Sequence, residues 1–308
     1  MGKSPPICLT RPNASLALLE SVRVTAPIFT RLLVLVFGVL LASAGCRRPP
    51  QQTSAQAADS TAARPIREAL LEELKTVALE NCTLKRYGSP NDGGYLMCEN
   101  LTTDVAAAYS YGISTEDNWG CDVSKQLDVP VHQYDCFTPH RPMCQGGRFL
   151  FHDECVGPRA ETIDGQPFDS IPSQIDRNGH MGQRLLVKID VEGAEWDALM
   201  ATPDDVLDTI VQMPMELHGT DEQKFVDVVR RLKRQFHLVN LHFNNWACTT
   251  DTAPIPAYAF QVLWVNKRDG MLDADAASPA PVSPLNAPDN PKAAECPGSS
   301  NEEVRSKK

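Results

Sequence analysis

The stretch Leu185-Leu-Val-Lys-Ile-Asp-Val-Glu-Gly-Ala-Glu-Trp196 constrains this chain more than any other. Its nearly unbroken apolar opening suits a strand covered on both faces, as in a parallel sheet flanked by other layers. Such a strand delivers Asp190 and Glu192 to its carboxyl end, where open α/β sheets bind ligands. Gly193 lets the backbone turn sharply, and Ala194 to Met200 read as a short helix with Trp196 and Leu199 on one face. The plainer alternative is that the two acids merely cap that helix. Two carboxylates crowded against a glycine favour a site.

Strand and helix signals alternate on either side of this stretch. Val105 to Gly112 is the first apolar run able to form a central strand, and Gly112 falls where the chain must leave it. Asp117 to Leu127 reads as the following helix. Val129 to Asp135 is a second strand ending in an acid, and Arg148 to His152 a third. Ser170 to Arg177 is a modest helix candidate ended by Asn178-Gly179. Pro203-Asp-Asp205 begins another helical turn. Thr209 to His218 is a fifth strand that ends in Glu216 and His218. Asp221 to Phe236 is an amphipathic helix with Phe225, Val226, Val229 and Leu232 on one face. His237 to Phe243 and Ala259 to Val265 close the series as two successive strands. The expected fold is α/β: a doubly wound, seven-stranded, mostly parallel Rossmann-like sheet with an antiparallel edge.

Ahead of the sheet, Ile66, Leu70, Leu71, Leu74, Val77 and Ala78 recur at helical spacing, and Pro65 can start that helix. Thr83 to Tyr87 and Tyr95 to Cys98 then form a hairpin around the turn signal Ser89 to Gly94. Cys82 and Cys98 flank it, so a bridge is expected there, closing a loop that stabilises by ~3 kcal/mol.

Lys188-Ile-Asp-Val-Glu-Gly-Ala-Glu195 resembles the signature of the FkbM-type S-adenosylmethionine-dependent methyltransferases. The resemblance extends more weakly over about residues 82–268, and Asp92-Gly-Gly-Tyr95 with Tyr109-Ser-Tyr-Gly-Ile113 resembles a methyltransferase-like branch that often enters the secretory pathway. It implies a class I methyltransferase sheet with S-adenosylmethionine at the carboxyl ends of its first half. Tyr109, Gly112, Asp135 and Asp190 are then the expected cofactor residues. Gly112 would let the methionine part lie against backbone, although the second glycine usual in the wider superfamily is missing. Asp135 would accept bonds from the ribose hydroxyls.

Methyl transfer is an in-line displacement that needs orientation and removal of one proton from the acceptor. Asp190, Glu192 and His218 are the expected catalytic residues, with Glu216 a further candidate. Lys188 is read as a counter-ion of Asp190, and His242 as structural. The expected activity is O-methylation of a hydroxyl or carboxyl on a small molecule or glycan. The alternative is an exported binding module that kept the fold and lost the chemistry, since the cofactor is made in the cytosol. A metal-dependent variant with Asp190 and Glu216 as ligands ranks lower, and no metal is expected.

A net charge of -10 argues against a nucleic-acid partner, because phosphate binding needs a basic face. Ten cysteines without paired metal-ligand spacing favour disulfides in an oxidising compartment. Leu32 to Gly45 is an apolar stretch of 14 residues followed from Ala42-Ser-Ala44 by Cys46, the layout of a signal peptide, a lipoprotein leader or a signal anchor. Residues 1–46 are therefore read as leader or anchor, the chain's one link to a membrane. Residues 47–64 read as a flexible linker and 65–269 as the methyltransferase-like domain. The chain is expected to be exported, whether membrane-anchored, periplasmic or secreted. Residues 270–308, poor in large apolar side chains, are read as disordered, leaving Cys296 without a partner. At least one bridge is expected among Cys136, Cys144 and Cys155.

Overall fold

The computed structural model describes residues 62–138 and 140–297. The leader and nearly all of the linker lie outside the described residues. In chain order the elements are α1 (Arg64–Glu73), β1 (Leu84–Gly88), β2 (Gly94–Cys98), β3 (Ala107–Tyr111), α2 (Asn118–Leu127), β4 (Val131–Tyr134) and β5 (Phe149–His152). Three short strands follow, β6 (Cys155–Val156), β7 (Glu161–Ile163) and β8 (Gln166–Asp169), then α3 (Ile171–Arg177) and β9 (Leu185–Ile189). The chain continues through α4 (Glu195–Ala201), α5 (Asp204–Leu207), β10 (Ile210–His218), α6 (Gln223–Gln235), β11 (Phe236–Phe243) and β12 (Ala259–Asn266).

Seven strands form one sheet in the order β5-β4-β3-β9-β10-β12-β11. The first five of these run parallel, and β12 lies antiparallel between β10 and β11. Successive strands step outward from β3 on one side and from β9 on the other, so the winding reverses between β3 and β9. That reversal opens the crevice in which doubly wound sheets bind ligands. The fold is thus α/β with a mostly parallel, Rossmann-like central sheet, as expected.

Alternation along β9 splits the protein's interior in two. Leu185, Val187 and Ile189 join a core with Tyr109, Tyr111, Trp196, Met213, Met215 and the apolar stripe of α6. Leu186 faces a second core built from Tyr87, Tyr95, Met97, Trp119, Val211 and Leu263. Helices α1, α4 and α6 supply the first layer. Hairpin β1–β2 and helix α2 supply the second, with Gln212 reaching the backbone of Cys98 in both directions: Cys98 N–H donates to its Oε1 at 2.7 Å, and its Nε2 donates to Cys98 O at 2.8 Å.

Local chemistry explains the element ends. Asp117 caps α2 by accepting from Gly120 N–H at 2.8 Å, and Asp128 closes it in the left-handed region. The first helix stops at Glu73, short of Val77 and Ala78, because Val77 N–H donates instead to Leu238 O on β11. The sheet of β6, β7 and β8 was not foreseen; its strands are too short to show a period.

The largest correction is the carboxyl-terminal segment. Residues 270–297, expected to be disordered, run back over the sheet as a strap, with Leu272 bridged to Leu79 and Ala280 exchanging bonds with Thr76. Asn245 Nδ2 donates to the carbonyls of Asn290, Ala293 and Ala294, and Cys296 is fully buried in a disulfide with Cys248. Polar side chains and a covalent link do here what large apolar residues do elsewhere.

Three more disulfides occur among the described residues: Cys82–Cys98 as expected, Cys136–Cys155, and Cys121–Cys144. Four disulfides fit an oxidising environment. No helix among the described residues is long and apolar enough to cross a membrane.

Because the Cys248–Cys296 bridge closes a span of 48 residues, a Cys248→Ala/Cys296→Ala variant should lose about 4 kcal/mol in the chain-entropy account. Urea unfolding of the oxidised protein measures this, and a loss below about 1 kcal/mol would mean that the strap is held by its other contacts alone.

Candidate functional site

A cavity of about 570 Å³ opens at the carboxyl ends of β3, β4 and β9, at the point where the winding reverses. Gly112, Ser114 and Thr115 form one wall, and Asp135, Phe137 and Thr138 another. Val156 and Phe168 come from the small sheet, and Asp190, Val191 and Glu192 from the end of β9. The disulfide Cys136–Cys155 ties the second wall to the third. Phe137 stands at the rim with 71% of its surface exposed.

Gly112 has φ +71°, and a Cβ there would lie 1.7 Å from the Asp190 carbonyl oxygen. The close crossing of two chain segments by itself requires the glycine, which also lines the cavity. Asp135 also takes another role. Its Oδ2 accepts from Ile113 and Ser114 N–H at 3.2 and 3.0 Å, and its Oδ1 from Phe137 and Thr138 N–H at 2.8 and 2.9 Å. Four backbone donors fill the roughly four acceptor positions of a carboxylate. Asp135 thus pins the two loops that wall the cavity, and it has no lone pair left for ribose hydroxyls.

Tyr109 leaves the expected cofactor site altogether. It is fully buried, stacks on His132 with ring centroids 5.0 Å apart, and its hydroxyl meets His180 Nδ1 at 2.9 Å. His132 Nδ1 lies 3.0 Å from His152 Nε2. Burial, aided by the neighbouring His152 and His180, pushes the His132 imidazole down to about 4, and burial also lowers His152 and His180.

The remaining expected residues do come together. Asp190 Oδ2 accepts from the Tyr95 hydroxyl at 2.8 Å and lies 3.6 Å from Lys188 Nζ, the counter-ion expected of it. Lys188 is buried in mid-strand and satisfies its ammonium on the carbonyls of Tyr111 and Gly112. His218 sits among four carboxylates. Its Nδ1 is 3.3 Å from Glu195 Oε1, while Nε2 is 3.5 Å from Glu192, 3.6 Å from Glu216 and 3.9 Å from Asp190. Burial works against the imidazolium, but the Glu195 hydrogen bond and the surrounding negative charge outweigh it, so the His218 pKa is raised. Burial, reinforced by Asp190 and Asp289, raises Glu216 as well, and Asn244 Nδ2 donates to its Oε1 at 2.8 Å. A raised pKa works against the general-base role expected for His218 at neutral pH.

Sequence reasoning missed Glu195, Tyr95 and the aromatic pair Phe137 and Phe168. Glu195 is wholly buried, and it binds Gly193 N–H at 2.8 Å and His218 N–H at 2.7 Å, so it locks the turn after β9 onto the end of β10. Its place as last residue of the Lys188–Glu195 motif was the available signal. Compared with family models, curated proteins and solved structures, the chain has no match.

Two outcomes follow from this geometry. Gly112→Ala should cost about 3 kcal/mol or more through the clash with the Asp190 carbonyl and the positive φ, read as a lowered urea midpoint. The unfolded chain protonates its histidines near 6.5, well before folded His132 does near 4. The stability that neutral His132 contributes is therefore complete above about pH 6.5 and is lost as pH falls towards 4. His132→Gln should flatten the decline in urea midpoint between pH 7.5 and 5; an unchanged decline would contradict this.

Proposed function

We propose that this chain is an S-adenosylmethionine-dependent methyltransferase of FkbM-like type, acting on a hydroxyl or carboxyl group of a small molecule or glycan. The observation that carries the reading is the cavity at the winding reversal, edged by Asp190 and Glu192 of the very motif that resembles the family. Its volume of about 570 Å³ lies within the usual range for small-molecule sites. Its apolar wall of Val156, Phe168 and Phe137 suits a flat base, and its acidic edge suits a sulfonium cation.

In the transfer, the acceptor oxygen attacks the methyl carbon as the carbon–sulfur bond breaks, and the acceptor proton must leave. Asp190 is the residue we assign to that proton. It lines the cavity, and Tyr95 and Lys188 hold its other oxygen in place. His218, Glu195 and Glu216 then position the acidic edge instead of reacting.

One observation favours the second reading, an exported binding module on the same fold: Asp135 spends its carboxylate on four backbone N–H groups and leaves none for a ribose. Calorimetric titration with S-adenosylmethionine and S-adenosylhomocysteine separates the two. The enzyme reading expects both to bind, and Asp190→Asn should weaken the cationic sulfonium form about 1–2 kcal/mol more than the neutral thioether form, because only the former feels the lost charge. No heat with either ligand on folded protein would leave the binding-module reading in its place.

A further inference from the structure

Asp190, Glu192 and His218 each offer one donor atom, and the three atoms lie within 4.8 Å of one another. Two features set them apart from an ordinary group of acids. The first is the state of the imidazole. No hydrogen bond reaches His218 Nε2 among the described residues, although the side chain is only 11% exposed; the carboxylate oxygens facing it stand at 3.5–3.9 Å. Those separations are too long for hydrogen bonds. They are close to the roughly 3.0–3.5 Å between donors that share a small divalent ion at about 2.1 Å. The second is what holds the ring. Nδ1 faces the fully buried Glu195 carboxylate, which two backbone N–H groups fix in place. A carboxylate on one imidazole nitrogen, orienting the other towards a ligand, is the arrangement that supports metal-binding histidines.

We propose that Asp190 Oδ1, Glu192 Oε2 and His218 Nε2 hold one divalent cation at the acidic edge of the cavity. The ion takes the place of the Nε2 proton that the surrounding carboxylates otherwise favour, so binding releases that proton, and an imidazole with two carboxylates favours a first-row ion such as Mn²⁺ or Zn²⁺ over Ca²⁺ or Mg²⁺, which prefer oxygen ligands alone. Glu192 is the mobile member: its side chain is 87% exposed, so it can close onto the ion without disturbing packing. Of the readings made from sequence, this replaces both the expected absence of a metal and the weaker pairing of Asp190 with Glu216. What the ion does rests on the methyltransferase reading: with Asp190 Oδ1 taken up as a ligand, the ion would replace that carboxylate in the proton's removal, polarising the acceptor oxygen so that its proton is lost to water. That it binds does not rest on that reading.

The test therefore uses neither cofactor nor acceptor. The untagged full chain, with its disulfides intact, is titrated calorimetrically at pH 7.5 with MnCl2, ZnCl2, MgCl2 and CaCl2 in separate runs. The expected result is saturable binding of one equivalent of Mn²⁺ or Zn²⁺ and at least tenfold weaker binding of Ca²⁺ and Mg²⁺. Glu192→Gln should weaken the Mn²⁺ or Zn²⁺ affinity by about tenfold or more with an unchanged melting temperature, and His218→Gln should do the same where it folds. If His218→Gln fails to fold, the Glu192 variant decides alone. Absence of saturable binding for all four ions, or Mn²⁺ and Zn²⁺ affinities that Glu192→Gln leaves unaltered, would overturn the proposal. Cofactor titration of the same preparation reports on the methyltransferase reading separately, so failure of one is distinguishable from failure of the other.

Discussion

Leu185–Ile189 is covered on both faces by two different cores, so the one charge inside the strand has to be neutralised without water. Lys188 manages this by reaching past the end of β3 to the carbonyls of Tyr111 and Gly112 and by facing Asp190. An unpaired ammonium at such a place would cost several kcal/mol, which forces β3 and β9 to end in one fixed relation. Gly112 follows from it, because the crossing leaves no room for a Cβ beside the Asp190 carbonyl. The position of the cavity and of its acidic edge is a consequence of that single buried charge and the two strand ends it binds.

The two faces of the sheet are held by different physics. On one, helices α1, α4 and α6 bury a broad apolar stripe. On the other, helix α2, a two-stranded hairpin and an irregular strap lie over the strands, and a lone hairpin or strap has little stability of its own. Disulfides supply the difference: Cys82–Cys98 closes the hairpin and Cys248–Cys296 fastens the strap. The strap in turn brings Asp289 into the polar row that runs from Glu216 through Gln261 to His242, where Gln261 Nε2 donates to it at 2.7 Å. The Cys248–Cys296 bridge thus supports the polar layer behind the cavity as well as the fold's outer shell.

This division explains what was legible in the sequence. All seven strands of the central sheet were readable: an inner strand between two cores is written as an apolar run that ends in a polar residue, and the edge strand β11 as an alternation of buried and part-exposed positions. The same rule placed Asp190, Glu192, Glu216 and His218 at one edge. Tyr109 was misread because it lies in the middle of β3, two residues short of the strand end, where it is packed under Tyr134 and His132 and does not reach the cavity. The strap was misread for a different reason. Its order comes from side-chain amides, main-chain bonds and one bridge, none of which leaves a hydrophobic period. Glu195 shows no sign of burial in the sequence, and only the return of β10 beside it reveals that it is buried and shared.

Charge balance at the edge of the cavity ties these threads together. Around His218 stand Asp190, Glu192, Glu195 and Glu216, and among the described residues their ion-pair partners are the imidazole itself and, for Asp190, Lys188. Asp92 nearby is raised in pKa by burial and by Asp190, a sign that the negative potential extends beyond the cluster. Such an arrangement stabilises itself in part by keeping protons that isolated carboxyls would release, as the raised Glu216 shows. A bound cation relieves the same repulsion without proton uptake, whether the positive charge is a sulfonium in the cavity or a metal ion on the three converging donors. The fold therefore carries a standing electrostatic cost at this one place, and a positively charged ligand is the species that lowers it.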